Sequence, residues 1–357
     1  MSRLKMAVVG VGALGRHHAR ILSELDSVEL VAVAETNPVA GQAVAEKCHT
    51  RWVADYNELF GEIDAVSIVV PTFAHLAVAS EFLSRRIPVL VEKPLAASID
   101  HGERLVELAE QTGTLLQVGH VERFNPATAV AWSHCGSPKY IRAERVSPYA
   151  FRSTDIGAVH DLMIHDLDLV LDLVAAPVRS VEAFGISILG ENEDSVQARV
   201  TFENGCIADL TANRVNPKSS RTMQIWSAEG TVTVDFTSRE VVAYRPSEAL
   251  LYGMSPLQRA RQPGADVERL KSEIFGTFLK VERPAVPQTD ALTAELESFV
   301  DCVRNERRPL VDGQTALRAM QLADQILASV HSHQWEGHAG GAIGPFARPR
   351  QAIKRVA

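Results

Sequence analysis

Short apolar runs at Met6–Val9, Val28–Ala34, Asp64–Val70, Pro88–Val91 and Leu115–Val118 punctuate the first third of the chain. Between them, apolar positions recur at helical spacing, after Gly15 and over Pro38–Cys48, His75–Arg85 and Ile99–Thr112, with a short helical turn at Tyr56–Phe60. Strand and helix patterns in strict alternation predict an α/β fold, a doubly wound parallel sheet covered on both faces. After Asn125-Pro126 the period changes. Strands are expected at Tyr140–Val146, Val181–Ile188, Ser195–Phe202, Cys206–Asn213, Thr222–Ser227 and Thr231–Phe236. Turn signals at Glu203-Asn204-Gly205 and Glu229-Gly230 join neighbours, so antiparallel hairpins follow. Helices are expected at Thr154–Val174, Asp290–Asn305 and Thr315–Ser332. The segment from about Leu250 to Thr289 reads as irregular. These patterns predict a parallel α/β domain over 1–122 and an α+β domain over 123–335 with one mostly antiparallel sheet. From 336 to 357 glycine, proline and arginine dominate, which predicts a disordered tail.

The first apolar run leads into Gly10, Gly12 and Gly15, and a helical pattern begins at once. A G-x-G-x-x-G between a strand and a helix is the fingerprint of a dinucleotide-binding unit. Gly10 permits the tight turn, Gly12 lets the backbone approach a pyrophosphate, and Gly15 lets helix and strand pack closely. The amides from Gly12 through Ala13 and Leu14 open toward the phosphates at the helix start. The second strand ends at Glu35, twenty residues past the third glycine, where a carboxylate accepts from an adenosine ribose. Thr36 and Asn37 bring no positive charge for a 2′-phosphate, which favours NAD over NADP; Arg16 is the one cation nearby.

A chain of 357 residues has material for two domains. Its net charge of −8 argues against nucleic acid or an anionic membrane as partner. Four scattered cysteines without a C-x-x-C suggest reduced thiols rather than a disulfide frame or a zinc site. No signal-peptide pattern or long uncharged apolar run is present, so a soluble cytoplasmic protein is expected.

In open α/β sheets, ligands bind beyond the carboxyl ends of the strands. Glu35, Thr72, His75, Glu92, Lys93 and His120 all fall there. Lys93, followed by a proline, is placed to hydrogen-bond a substrate hydroxyl and pass a proton as hydride leaves; alternatively it is a surface lysine near the diphosphate. Asp161, His165, Asp168 and Asp172 lie four, three and four residues apart, one face of an α-helix. A carboxylate that fixes an imidazole tautomer makes a proton relay; the same set could be a metal site or a solvated acidic face.

Taken in order, GVGALG, PTFAHLAVA, VEKPLA, VGHVERFNP and DLMIHDLDLV resemble the Gfo/Idh/MocA oxidoreductase family. The resemblance extends nearly to Ser332 and includes the closing LTAELESFVDCVRNERRPLVDG segment. It implies a Rossmann domain, a second α/β domain whose open sheet supports homodimers or homotetramers, and oxidation of a sugar, inositol or related hydroxyl with NAD(P). It also implies that Lys93 contacts substrate and nicotinamide, that His165 is the acid/base, that Asp161 supports it, and that Arg123 lies near the substrate with His120. No metal is implied. Met163 stands where the family usually has glycine. The DLMIHDLD wording, with VERFNP upstream, is similar to a subgroup acting on nucleotide sugars, including a UDP-sugar dehydrogenase whose 3-keto product is aminated in lipid A synthesis. The expected partner is therefore a small sugar or UDP-sugar. Two rivals stand beside it: a non-catalytic sensor of NAD redox state, and an NADPH-dependent reductase of a non-sugar substrate.

Overall fold

The computed structural model describes residues 2–151, 156–338 and 344. It divides into two compact units, one of 1–124 with 289–322 and one of 125–288 with 323–357. The first unit holds a six-stranded parallel sheet in the order β3-β2-β1-β4-β5-β6. Its strands are β1 (Leu4–Val9), β2 (Val28–Ala34), β3 (Arg51–Val53), β4 (Ala65–Ile68), β5 (Val89–Glu92) and β6 (Leu116–Gly119). The order reverses between β1 and β4, where a doubly wound sheet opens its ligand crevice. Helices α1 (Gly15–Glu24), α2 (Pro38–Lys47), α3 (His75–Ser84) and α4 (Ile99–Thr112) connect the strands. Their ends follow local chemistry. Asn37 caps α2 ahead of Pro38, Ser98 caps α4, and Gly113 closes α4 at φ 64°.

The second unit opens with α5 (Pro126–Cys135), where only a boundary was expected. Asn125 accepts from the Ala127 amide and Pro126 takes the first helical position, so Asn-Pro here starts a helix. Its sheet has the order β14-β13-β12-β11-β7-β10-β9-β8. In chain order the strands are β7 (Pro138–Val146), β8 (Val178–Ile186), β9 (Ser195–Phe202), β10 (Ile207–Asn213), β11 (Ser220–Ser227), β12 (Gly230–Asp235), β13 (Glu240–Pro246) and β14 (Leu279–Glu282). Every pair is antiparallel except β7 with β10. Between β7 and β8, helical residues begin at 158 with a π turn at Val159–Met163 that continues into α6 (Ile164–Val174). Residues 154 and 155 of the expected helix lie outside the described residues.

Two expectations are corrected here. The segment thought irregular carries α7 (Glu248–Leu251), α8 (Pro256–Ala260), α9 (Val267–Glu273) and the edge strand β14. Each is too short to show a period, and β14 exists only by pairing with β13. The other correction concerns α10 (Ala291–Asn305), which was assigned to the second domain but belongs to the first unit. Leu296, Phe299 and Val300 complete a core with Met6, Val8, Ile21 and Leu22. An amphipathic face records that it will be buried, not against which sheet. The last α-helix, α11 (Gly313–Ser332), spans the third chain boundary between the units. The expected tail falls mostly outside the described residues.

Candidate active site

The glycine turn behaves as its three positions require. Gly10 has φ +86°, and a Cβ there would lie 2.7 Å from the Val69 carbonyl oxygen. A Cβ on Gly15 would overlap the carbonyl oxygen of Gly10. Around Gly12 nothing lies within 4 Å, so its missing side chain serves no packing inside the chain and leaves an approach open. Gly12, Ala13 and Leu14 are exposed, and among the described residues their amides meet no backbone acceptor. No side chain caps α1. Unmet donors at a helix start are a ready anion site.

Glu35 reaches back to this turn. Its Oε2 accepts from the Val11 amide at 3.0 Å and its Oε1 from the Asn37 amide at 3.0 Å. Trp52 fastens the same strand end by donating from Nε1 to the Glu35 carbonyl at 2.9 Å. The carboxylate therefore stands beside the glycine turn, held from both sides. Thr72 follows the end of β4 in a half-buried 3₁₀ turn beside exposed Phe73.

His75, expected to serve the cofactor, lies among main-chain carbonyls. It is buried, with Nδ1 2.9 Å from the Pro94 carbonyl and Nε2 3.0 Å from the Val70 carbonyl. The ring sits between the loop after β4 and the loop after β5, and its single N–H in the neutral form donates to one of these carbonyls. Burial pushes its pKa below the usual histidine value. Glu92 is likewise turned inward: Oε1 lies 3.1 Å from His18 Nε2, and Oε2 accepts from the Lys93 amide at 3.2 Å.

Lys93, His120 and Arg123 come together in the first unit. Lys93 follows β5 and His120 follows β6, the next strand in the sheet. His120 is buried, and burial, with the charges of Lys93 and Arg123, lowers its pKa to about 3. It is a neutral ring at any working pH, fit to hydrogen-bond and unfit to take up a proton. Two cations around a neutral imidazole favour an oxygen-rich or anionic ligand.

Asp161 and His165 lie in the second unit, both half-buried. The expected acidic stripe does not form. The π turn inserts an i→i+5 bond ahead of α6 and shifts the register. Asp168 is buried, while Asp172 is exposed and accepts from Trp132 Nε1 at 3.0 Å. Asp166, not singled out in the sequence, anchors this turn. Its two carboxylate oxygens take Nε and Nη2 of Arg145 at 3.1 and 2.8 Å, with both residues buried. Glu193 accepts from the Val159 amide at 3.0 Å and so caps the helix start. Met163, at the family's glycine position, is fully buried. Among the described residues no three His, Cys, Asp or Glu side chains converge as a metal ligand set.

A six-stranded sheet in Rossmann order, an open glycine turn at the start of α1, a carboxylate at the end of β2 and a lysine after β5 fit a dinucleotide-dependent oxidoreductase. The oxidoreductase family model described as an NAD-binding Rossmann fold matches residues 4–120, and the Gfo/Idh/MocA C-terminal domain model matches residues 128–233. The chain belongs to the Gfo/Idh/MocA family and is an NAD-dependent dehydrogenase of the kind that acts on sugar hydroxyls. UDP-N-acetylglucosamine 3-dehydrogenase of Acidithiobacillus ferrooxidans is 31% identical over 93% of this chain and 99% of its own. A solved structure of that enzyme matches with a TM-score of 0.80, covering 92% of this chain and 98% of that one. The scyllo-inositol 2-dehydrogenase (NAD(+)) of Bacillus subtilis is 26% identical over 87% of this chain and 89% of its own.

Proposed function

We propose that this enzyme oxidises a hydroxyl of a UDP-linked amino sugar, in the manner of a UDP-N-acetylglucosamine 3-dehydrogenase. The observation carrying this reading is the end-to-end similarity to that enzyme at 31% identity, against 26% for the inositol dehydrogenase. The phosphate turn of Gly10, Gly12, Ala13, Leu14 and Gly15 and the Glu35 carboxylate hold NAD, with Thr72 along its path. NAD held there would supply the acceptor for a hydride from the carbinol carbon. Lys93 hydrogen-bonds the hydroxyl that reacts, and His165 takes its proton as the carbonyl forms, a step in the range of general acid–base catalysis. Asp161 supports the charge that His165 acquires. His120 and Arg123 bind sugar or phosphate oxygens. In the reverse direction the same groups return the proton, so metabolite ratios set the direction.

We also read the enzyme as a cytoplasmic homodimer or homotetramer, its subunits pairing through the open sheet. No helix among the described residues is long and apolar enough to cross a membrane.

The test is NADH formation across UDP-N-acetylglucosamine, other UDP-sugars, myo-inositol, glucose and sugar phosphates. Turnover of the UDP-sugar that disappears when UDP is removed supports the proposal; turnover of free polyols alone replaces it with an inositol or free-sugar dehydrogenase. Lys93→Ala is expected to lower kcat by about 10²-fold while NAD still binds, and near-normal turnover would remove Lys93 from the chemistry.

A further inference from the structure

A π turn is rare and mostly confined to a single turn joined to an α-helix, and the one at Val159–Met163 is held by groups outside it. Val159 closes the turn: its carbonyl accepts from the Ile164 amide, five residues on. The Val159 amide donates to Glu193 Oε1 at 3.0 Å, and the Ala158 amide donates to the Glu193 main-chain carbonyl at 2.9 Å. Gly157 makes room for this glutamate, since a Cβ there would lie 2.0 Å from its Oε1. The Gly157 carbonyl in turn accepts from the Asp161 amide at 2.9 Å. Half-buried Glu193 therefore meets three consecutive residues at the entry of the turn, just ahead of Asp161.

Behind Glu193 stands a buried ion pair, with Asp194 0% exposed and Arg214 5%. Asp194 Oδ1 accepts from Arg214 Nε at 2.7 Å, and Oδ2 accepts from the Ile188 and Leu189 amides at 2.6 and 2.7 Å. The two main chains are joined as well, the Arg214 amide donating to the Asp194 carbonyl at 2.9 Å. Arg214 directs a further donor at the approach to the turn, from Nη1 to the Ile156 carbonyl. A guanidinium presents its donors in a rigid fork, so this one side chain fixes residue 156 against the Asp194 carboxylate. Beyond the turn, Asp166 is fixed by Arg145, as described above. Along the chain, Asp161 and His165 thus lie between the attachments of two buried arginine–aspartate pairs.

We propose that Glu193, with the Asp194–Arg214 pair behind it, is the positioning device that keeps the π turn in register and so sets where Asp161 stands relative to His165. The proposal rests on the roles assigned to Asp161 and His165 above. Glu193, Asp194 and Arg214 are positioning residues: they act on main-chain groups of residues 156–159. Without the Glu193 acceptor the turn can relax to α-helical bonding. That change of one residue in the turn rotates Asp161 by roughly 100° against His165.

The experiment joins hydrogen exchange to kinetics on the full-length enzyme. The amides of residues 157–166 should be protected in the wild type and exchange about 10-fold faster or more in Glu193→Ala. Glu193→Gln keeps an acceptor oxygen and should restore the protection. With NAD and UDP-N-acetylglucosamine, Glu193→Ala should lower kcat by about 10-fold through misplacement of the relay, with the Kd for NAD unchanged, and Glu193→Gln should retain most of the turnover. Arg214→Lys keeps the charge beside Asp194 but loses the fork, and should show the same split even if Arg214→Ala fails to fold. Gly157→Ala drives the carboxylate off the Val159 amide, so it should match Glu193→Ala, and the double variant should be no worse than either. Normal exchange or normal kcat in Glu193→Ala overturns the proposal, as do additive losses in the double variant. If the wild type does not turn over UDP-N-acetylglucosamine, the substrate reading fails and the exchange data alone decide the role of Glu193. If His165→Ala stays active while exchange responds to Glu193→Ala, the acid/base assignment fails and the clamp on the turn stands.

Discussion

Replacement of Glu35 by alanine tests how the cofactor is chosen. A carboxylate offers about four lone-pair sites. Val11 and Asn37 take one each through their amides, and the Thr36 hydroxyl, at 3.3 Å from Oε1, takes a third weakly. At least one site is left for a ribose hydroxyl, and a hydrogen bond to a charged acceptor contributes about 1.5–3 kcal/mol. Loss of that bond should weaken NAD binding by roughly 10- to 150-fold. The same carboxylate repels a 2′-phosphate, so NADP binding should improve or fall much less. The assay is titration of both dinucleotides by fluorescence or calorimetry, with Tm recorded as a control on the loosened Val11 and Asn37 contacts. Loosening the turn alone weakens both cofactors equally. An unchanged ratio of NAD to NADP affinity, whatever the absolute values, would therefore refute the claim that Glu35 reads the ribose.

The glycine turn separates folding from binding. Gly15→Ala forces a Cβ against the Gly10 carbonyl and should cost about 1–3 kcal/mol or more by overpacking, seen as a lower Tm. Gly12→Ala meets nothing within 4 Å and should leave Tm unchanged while NAD affinity falls; a normal Kd would place the pyrophosphate elsewhere. His120 makes the protein acid-sensitive in a defined window: the native ring stays neutral to about pH 3, whereas the unfolded ring protonates near 6.5. Between those values the unfolded state binds more protons, so stability falls as pH falls, by about 1.4 kcal/mol per pH unit from this group. Urea midpoints at neutral and acid pH should show a shallower slope for His120→Asn, and parallel slopes would contradict the burial argument. Asp166→Ala removes the carboxylate that takes both Nε and Nη2 of buried Arg145, at a cost of about 3–5 kcal/mol. It should depress both Tm and kcat, since Asp166 sits next to His165 on the anchored turn; a variant with wild-type Tm would show that the pair does not hold α6.

Local sequence determined whatever depends on neighbours along the chain. The α/β alternation, the parallel sheet, the glycine turn and the carboxylate at the end of β2 were legible because period, turn chemistry and spacing are short-range properties. The antiparallel hairpins of the second unit were legible for the same reason. Three polar residues on apolar faces carried a weaker signal. His18 precedes Ala19, Ile21 and Leu22 in α1, Arg145 shares the inward set of Ile141 and Ala143, and Glu295 lies beside Leu296 and Phe299. A charged residue at a core position announces a partner without naming it. Tertiary structure alone decided those partners: Asp166 for Arg145, Glu92 for His18, and an acid without a hydrogen-bond partner among the described residues at Glu295. It also decided that α10 completes the first unit's core, and that the buried His75 ring lies between the Val70 and Pro94 carbonyls. The π turn before α6 belongs with these, because it moves Asp161 out of α-helical phase with His165. The physical reason is common to all of them. Burial, desolvation and hydrogen-bond pairing are set by groups distant in sequence, and no period along the chain records which element will arrive.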